Sequence, residues 1–269
     1  MPKQRLDTLL VDLKLCTSRQ KAQRLIRAGE VKVNQQLVDK PGTEVSTSAN
    51  IELKKKPPYV SRGGEKLAKA LEEFKIEVKD RLCLDGGIST GGFSDCLLKK
   101  GASRIYGVDV GYGQVAWNLR QDERLILKER TNLRHLTYSE LYGSQPPANL
   151  GVVDLSFISL TKVLAPLSNL LVAPKELVLL VKPQFEVGRS RVGKKGVVRD
   201  PQAQAEAIWQ VIQVAQQLNW QHQGLTWSPI TGPAGNREYL LWLSLSPSNH
   251  TPDLKEIQNL TVSSAADLM

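Results

Sequence analysis

The chain has 269 residues, 41% of them hydrophobic and 23% charged, with a formal net charge of +9. This is an ordinary soluble composition, and no apolar stretch approaches the ~20 residues that a bilayer-spanning helix needs. The opening "MPKQRLDTLL" lacks the apolar core of a secretory signal, and three cysteines (Cys16, Cys83, Cys96) with three histidines offer neither a disulfide framework nor a His-built metal site, so a cytoplasmic protein without a metal is expected.

The charge is uneven. Residues 1–60 carry 12 Lys/Arg against 6 Asp/Glu, while the rest is nearly balanced. A small basic head on a neutral body suggests an anionic partner for the head, nucleic acid or acidic membrane. In "RLDTLLVDLKL", Leu6, Leu9, Leu10 and Leu13 share one face of a short helix. In "SRQKAQRLIRAGEV", Ser18 is an N-cap and Gly29 a C′ residue, with Ala22, Leu25 and Ile26 inside. Arg19, Lys21, Arg24 and Arg27 stay outside, on what is either a solvated face or a binding face. Strand-like "EVKVN", "TEV" and "NIEL" follow, and then "KKKPPYVSR", a charged linker stiffened by two prolines.

On "RLDTLL…TSRQKAQRLIRAGEVKVNQQLVDKPGTEV" the head resembles the small α-L RNA-binding domain of a small-subunit ribosomal protein, tyrosyl-tRNA synthetases and pseudouridine synthases. In that family the basic second helix and the following turn lie against structured RNA. RNA helices are read largely through phosphates, shape and 2′-hydroxyls, a task suited to Arg and Lys on a rigid helix. The RNA-contacting candidates are Arg5, Arg19, Lys21, Arg24, Arg27 and Lys32, with Arg62 in the linker.

From about Glu65 helices and strands alternate, which predicts a doubly wound α/β sheet with parallel strands. Helix "EKLAKALEEF" precedes strand "RLCLDGG", and helix "GGFSDCLLKKG" leads to strand "RIYGVDV". Helical "QVAWNLRQ", strand "LILKE", strand "LGVVDLSF", helix "LTKVLAPLSNLL" and strand "LVLLVK" continue the series. Asp200-Pro201 opens a long helix to about Leu218. "GLTWSPI" and "REYLLWLSL" flank "TGPAGN" with no helix between them, so a tight turn and an antiparallel last strand are expected. The tail after Ser246 is polar, with a short helix around Leu254–Leu260.

"LDGGISTGGF" follows the first strand of the sheet and opens a helix. Its glycines Gly86, Gly87, Gly91 and Gly92 let the backbone approach a nucleotide closely. Asp109 ends the next strand, where a carboxylate accepts from ribose hydroxyls. A tight turn between packed elements would look the same, and the loop alone does not separate NAD from S-adenosylmethionine. The spacing is not GxGxxG, and little is provided for a pyrophosphate, which S-adenosylmethionine lacks.

Ligands of open α/β sheets bind beyond the carboxyl ends of the strands. Asp154 ends "LGVVD" and Lys182 ends "LVLLVK". Glu238 starts the antiparallel last strand, and Lys66 sits in the first turn of a helix that runs against the first strand. All four should therefore meet on one edge. Singly each has an ordinary reading, as a helix cap, a surface ion pair or a strand surfacing. Together they suit removal of a proton from a poor acid such as a ribose 2′-hydroxyl. A lysine serves as base only when neutral, a form that a second lysine and partial burial favour. Lys182 is the expected proton acceptor, tuned by Asp154 and Lys66 and oriented by Glu238.

"DGGISTGGFSDCLL", "GVDVGYGQ", "RTNLRHL", "VVDLSFISL", "LVKPQFEVG", "GVVRD" and "SPITGPAGNREYLLWL" resemble the TlyA family. That family joins an α-L head to an FtsJ-type Rossmann-like methyltransferase domain and methylates cytidine 2′-hydroxyls of ribosomal RNA with S-adenosylmethionine. Several members carry a historical hemolysin name. The resemblance implies a Lys-Asp-Lys-Glu tetrad at Lys66, Asp154, Lys182 and Glu238. It implies cofactor contacts at Asp85, Gly86, Gly87, Ser89, Thr90, Gly91, Gly92, Phe93, Asp109, Asn132 and Asp154. The expected organisation is a head over 1–58, a linker over 59–64, a methyltransferase domain over 65–246 and a polar tail over 247–269. "FEVGRSRVGKKGVVRD" holds Arg189, Arg191, Lys194, Lys195 and Arg199, expected to contact RNA phosphates rather than form an ordinary surface loop. The expected partner is ribosomal RNA, with no membrane span. The rival classes are a membrane-active hemolysin, an RNA-binding protein with an inactive methyltransferase fold, and a base methyltransferase. The last commonly carries an Asn/Asp-Pro-Pro-aromatic segment where this chain has "DLSF".

Overall fold

The computed structural model describes residues 2–54, 57–248 and 250–267; Lys55 and Lys56 of the predicted linker lie outside them. The chain divides into two units, Met1–Pro57 and Pro58–Met269. In the first, β1 (Lys3–Arg5), α1 (Leu6–Asp12) and α2 (Arg19–Arg27) precede four-strand coverage by β2 (Val31–Val33), β3 (Gln36–Leu37), β4 (Glu44–Ser46) and β5 (Ile51–Leu53). Ser18 caps α2 by accepting from the Lys21 N–H, and Gly29 adopts φ +66 just past its end. Leu6, Leu9 and Leu10 pack with Ala22, Ile26 and Val31. Leu13, expected on that face, follows the end of α1 and is exposed.

The head core encloses one carboxylate. Asp7 is fully buried and accepts from Arg5 Nε at 3.1 Å, Arg19 Nε at 3.0 Å and Gln23 Nε2 at 2.8 Å. The hydrogen bond from Arg5, joined by those from Gln23 and Arg19, holds this carboxyl well below the usual range against the opposing effect of burial. A depressed carboxyl stabilises the fold above the unfolded value of about 4 and loses that contribution as pH falls toward the folded value. Asp7→Ala should destabilise the head by about 2 kcal/mol, because its bonds to Arg5, Arg19 and Gln23 are lost together. Amide hydrogen exchange in α1 and α2 of the full chain should then quicken by about thirtyfold at neutral pH.

The second unit comprises α3 (Gly63–Glu73), β6 (Leu82–Gly86), α4 (Gly92–Lys99), β7 (Arg104–Val108), α5 (Trp117–Arg120), β8 (Leu125–Lys128) and α6 (Tyr138–Tyr142). Then come β9 (Leu150–Val153), α7 (Leu164–Leu170), β10 (Glu176–Val181), α8 (Pro183–Glu186), α9 (Pro201–Gln217), β11 (Gln221–Trp227), β12 (Tyr239–Ser244) and α10 (Leu254–Asp267). The seven strands lie in the order β11-β12-β10-β9-β6-β7-β8. Neighbours from β10 through β8 are parallel, and β12 runs antiparallel to both β10 and β11. The chain builds outward from β6 to β8, then crosses over to β9, so the order reverses between β6 and β9.

Alternate residues of β10 feed two cores. Leu177, Leu179 and Val181 meet α7, α9 and Ile257 of α10, whereas Val178 and Leu180 meet the α3 and α4 side. Both faces are therefore covered, which explains why the strand reads as an unbroken apolar run. Two expectations change. The connection between β11 and β12 is a loop over residues 228–238 rather than a tight turn, and the polar tail contains a helix twice the predicted extent. Ile257 anchors α10, with Leu254 and Leu260 beside it, and Arg237 donates to the carbonyls of Ser264 and Ala265.

The segment after Pro57 joins this unit directly. Val60 N–H donates to Asp95 Oδ2 at 2.8 Å, and Lys99 Nζ donates to the Pro58 carbonyl. A Cβ on Gly64 would stand 2.2 Å from Tyr59 Cγ, so only glycine lets Tyr59 lie on α3.

Candidate active site

Open α/β sheets bind ligands where the strand order reverses. Here that point brings together the loop after β6 and the segment after β9. Gly87 has φ +87, and its Cα approaches the Asp154 carbonyl so closely that a Cβ would meet that oxygen at 2.4 Å. Asp109, one residue past β7, accepts from Ser89 N–H at 2.8 Å and Gly111 N–H at 2.7 Å. The carboxylate thus ties the glycine loop to its own turn while retaining further acceptor capacity.

A cavity of about 420 Å³ opens there, bordered by Gly87, Ser89, Asp109, Gln114, Thr131, Asn132, Asp154, Ser156 and Phe157 over an apolar floor of Val108, Leu133, Ile158 and Val163. Among the described residues no lysine or arginine borders it. A second cavity of about 210 Å³ is bordered by Arg62, Lys66, Thr90, Gly92, Phe93 and Pro233, and shares Gly87, Ser89 and Asp154 with the first.

The four residues predicted to converge form two ion pairs. Lys66 Nζ donates to Glu238 Oε2, and both side chains are buried. Lys182 Nζ lies 2.6 Å from Asp154 Oδ1 and donates to Ser156 Oγ at 3.0 Å. Lys66 and Asp154 border the smaller cavity, while Glu238 and Lys182 reach it through their partners. Space for the Glu238 carboxylate depends on Gly232, where a Cβ would lie 2.6 Å from Oε1. The segments carrying Asp154 and Lys182 are clasped by Glu186, which accepts from Ser159 Oγ and from Leu160 N–H at 2.9 Å. Burial raises the Glu186 carboxyl, with these two bonds opposing it.

The other candidates fall into three groups. Gly87, Ser89, Asp109, Asn132 and Asp154 border the larger cavity, and Thr90, Gly92 and Phe93 the smaller. Asp85, Gly86 and Gly91 border neither. Asp85 is fully buried beneath the loop, where Ser94 Oγ donates to its Oδ2 at 2.6 Å. Burial, opposed by Ser94 and reinforced by Asp154 and Asp109, pushes Asp85 up to about 7. Lys21, Arg24, Arg27 and Lys32 are exposed on the head. Arg5 and Arg19, also exposed, are occupied in part by Asp7.

Arg189, Lys194, Lys195 and Arg199 are exposed in the segment after α8, whereas Arg191 is ion-paired with Glu206 of α9. That segment makes two 3-10 turns, Arg189–Arg191 and Lys194–Gly196. Asn236 holds its far end, donating to the Gly196 carbonyl at 2.8 Å and accepting from Val198 N–H at 3.0 Å. Sequence reading missed Asn236, although it lies in the quoted "TGPAGN". It also missed Ser156 and Phe157 in the quoted "VVDLSF". Phe157 is 92% exposed with φ +65, a conformation bulky side chains rarely adopt, and its ring centre stands 5.2 Å from that of Phe185. Among the described residues no cluster of His, Cys, Asp and Glu could hold a metal ion, and no helix is long and apolar enough to cross a membrane.

A doubly wound sheet with this glycine loop, an antiparallel β12 and a separate small head is the architecture of a Rossmann-like methyltransferase carrying an accessory domain. The chain belongs to the FtsJ-like methyltransferase family, whose pattern it matches over residues 59–245, and residues 4–51 match the S4 domain. It is 47% identical over 241 residues to the Mycobacterium tuberculosis protein named 16S/23S rRNA (cytidine-2′-O)-methyltransferase TlyA, covering 89% of each chain. Hemolysin A of Brachyspira hyodysenteriae is 41% identical over 83% of this chain and 92% of its own. A solved structure from Streptococcus thermophilus, with the word hemolysin in its name, superposes with a TM-score of 0.75. It is 37% identical and covers 99% of this chain and 97% of that one.

Proposed function

We propose that the protein transfers a methyl group from S-adenosylmethionine to the 2′-hydroxyl of a cytidine in ribosomal RNA. The observation that carries this is the meeting of two lysine–carboxylate pairs beside a cavity that shares Gly87, Ser89 and Asp154 with the glycine-loop pocket. The larger cavity suits the cofactor in size, within the ~300–1,000 Å³ typical of ligand pockets. Its two bordering carboxylates and lack of cations match a ligand that carries a sulfonium and no phosphate. S-adenosylmethionine, when bound, supplies the activated methyl group.

The residues of this chain do the rest. Asp109 and Asn132 present acceptor oxygens for ribose hydroxyls and adenine. Lys66 and Asp154 border the acceptor cavity and fix the 2′-hydroxyl against the methyl donor. Lys182 Nζ, behind Asp154 and as the neutral amine that a base must be, takes the proton relayed by Asp154 as the oxygen forms its bond to carbon. Ser156, Asp154 and Phe185, whose ring centre lies 5.9 Å from Nζ, hold that lysine in place. The exposed Phe157 offers an aromatic face at the mouth for an unstacked base. Incubating the protein with labelled S-adenosylmethionine and ribosomal subunits, then mapping the label by primer extension, tests the reading. Label on a base rather than a ribose, or none on ribosomal RNA, would overturn it.

The basic segment is assigned to RNA phosphates. Replacing Arg189, Lys194, Lys195 and Arg199 together by alanine should lower the slope of log affinity against log salt by about 3, and leave cofactor affinity unchanged. An unchanged slope removes the segment from the RNA site.

A further inference from the structure

We infer that Asp85 selects the charged cofactor over its neutral product, being held ionised by a sulfonium in the adjoining cavity and neutralised when that charge has gone. This rests on the cofactor reading above and goes beyond it, since Asp85 borders neither cavity and takes no part in proton transfer from the acceptor.

Asp85 lies in the middle of the sheet, opposite Gly107 of β7 and Val152 of β9, two residues before Gly87. It has no solvent exposure. Ser94 of α4 donates to Oδ2, and Oδ1 is buried with no hydrogen-bond partner. Every other charged group around it is engaged elsewhere. Asp109, after β7, is held by two backbone N–H groups. Asp154, after β9, is paired with Lys182. On α4, Asp95 pairs with Lys99, and on α3, Lys66 pairs with Glu238. At the far end of β6, Arg81 pairs with Glu176. Among the described residues Asp85 is thus the carboxylate at this switch point with no cationic partner: Ser94 alone holds it, through its hydroxyl and its backbone N–H, and Oδ1 is left without a bond.

An unpaired buried carboxylate avoids the cost of its charge by binding a proton. Burial and the two neighbouring carboxylates favour that form here, and the position of Asp85 near 7 leaves it about half protonated at neutral pH. A cation entering the cavity bordered by Asp109 and Asp154 favours the anion, so a proton leaves as the cofactor binds. After methyl transfer the sulfur is an uncharged thioether, while the amino acid and nucleoside parts are unchanged. The attraction that held Asp85 ionised is then lost, the carboxyl takes up a proton again, and the product is held less tightly than the cofactor.

Calorimetric titration of the full chain with S-adenosylmethionine and with S-adenosylhomocysteine, in buffers of different ionisation enthalpy, reads this directly. At pH 7 the cofactor should release about half a proton more than the product, because a group near 7 is half protonated there. Cofactor affinity should rise with pH through 7 and level off, while product affinity stays flat from this cause. Asp85→Asn keeps an acceptor for Ser94 and removes the charge. It should abolish the difference in proton release and weaken the cofactor about tenfold at pH 8, leaving the product within twofold. Ser94→Ala, which removes the bond that favours the anion, should move the pH midpoint upward and serves if the first variant is unstable. Equal proton release by the two ligands in the wild type, or equal weakening of both in Asp85→Asn, overturns the proposal. Binding of neither ligand to the wild type would overturn the cofactor reading itself.

Discussion

Lys182→Ala is expected to slow methyl transfer by about a thousandfold, or ~4 kcal/mol of barrier, the range of a lost general base. The side chain is buried, held by Asp154 and Ser156, and borders neither cavity, so its loss should leave cofactor affinity nearly unchanged. The loss should therefore fall on turnover and not on binding. Lys182→Arg separates a base from a fixed charge: guanidinium cannot give up its proton in a protein, so arginine should not restore the rate. Single-turnover kinetics with saturating cofactor make the measurement. Near-normal turnover in the alanine variant, or recovery with arginine, removes Lys182 from the base role. Lys66→Ala should differ in kind. Lys66 borders the smaller cavity, proposed to take the acceptor, and its loss strands Glu238 as a buried unpaired carboxylate, so RNA affinity and stability should both fall.

Gly87→Ala should disable the protein more broadly. At φ +87 a side chain carries a backbone cost of about 1 kcal/mol, and the new Cβ would stand 2.4 Å from Asp154 O and 3.0 Å from Leu155 Cδ2. A carbonyl cannot swing aside as a flexible side chain would, so β9's continuation must shift. That shift moves Asp154, which borders both cavities and holds Lys182. Expected are a loss of about 2 kcal/mol in stability and at least about tenfold in cofactor affinity, with turnover falling further. Gly101→Ala is the control. Its φ is +88 with nothing closer than 3.5 Å to the added carbon, so it should show the backbone cost alone and bind cofactor normally. Equal cofactor affinity in the two variants would show that the approach of Gly87 to Asp154 does not shape the site.

Much of the site could be read from the chain because topology does the placing. Once β9 and β10 are parallel and β12 antiparallel, Asp154, Lys182 and Glu238 have only one edge to occupy, and α3 brings Lys66 to it. What could not be read depends on choices local to a loop. Nothing in "DLSF" announces that Phe157 will adopt φ +65 and stand exposed, since a bulky side chain rarely takes that conformation and no local sequence signal marks it. Asn236 was equally hidden, because its partners Gly196 and Val198 lie some forty positions earlier. The counterion Asp7 stands within the quoted "RLDTLL", but its burial among Arg5, Arg19 and Gln23 is a tertiary result that no helical period conveys. The tail was judged by composition, whereas Ile257 and the grip of Arg237 on the end of α10 decide its fate. Leu13 erred in the other direction, an apolar residue one step beyond the last helical turn.

The Lys66–Glu238 bond spans 172 positions of sequence. Such a contact closes only after nearly all of the intervening chain has taken its place, since distant pairings must first overcome the entropy of the loop between them. The head needs no residue beyond 57 for its core. During synthesis, then, the head can fold while the catalytic half of the molecule is still emerging, and activity arrives as one of the last events of biogenesis. A chain interrupted anywhere after residue 57 and before Glu238 would keep the residues of its head core while lacking the carboxylate that pairs with Lys66.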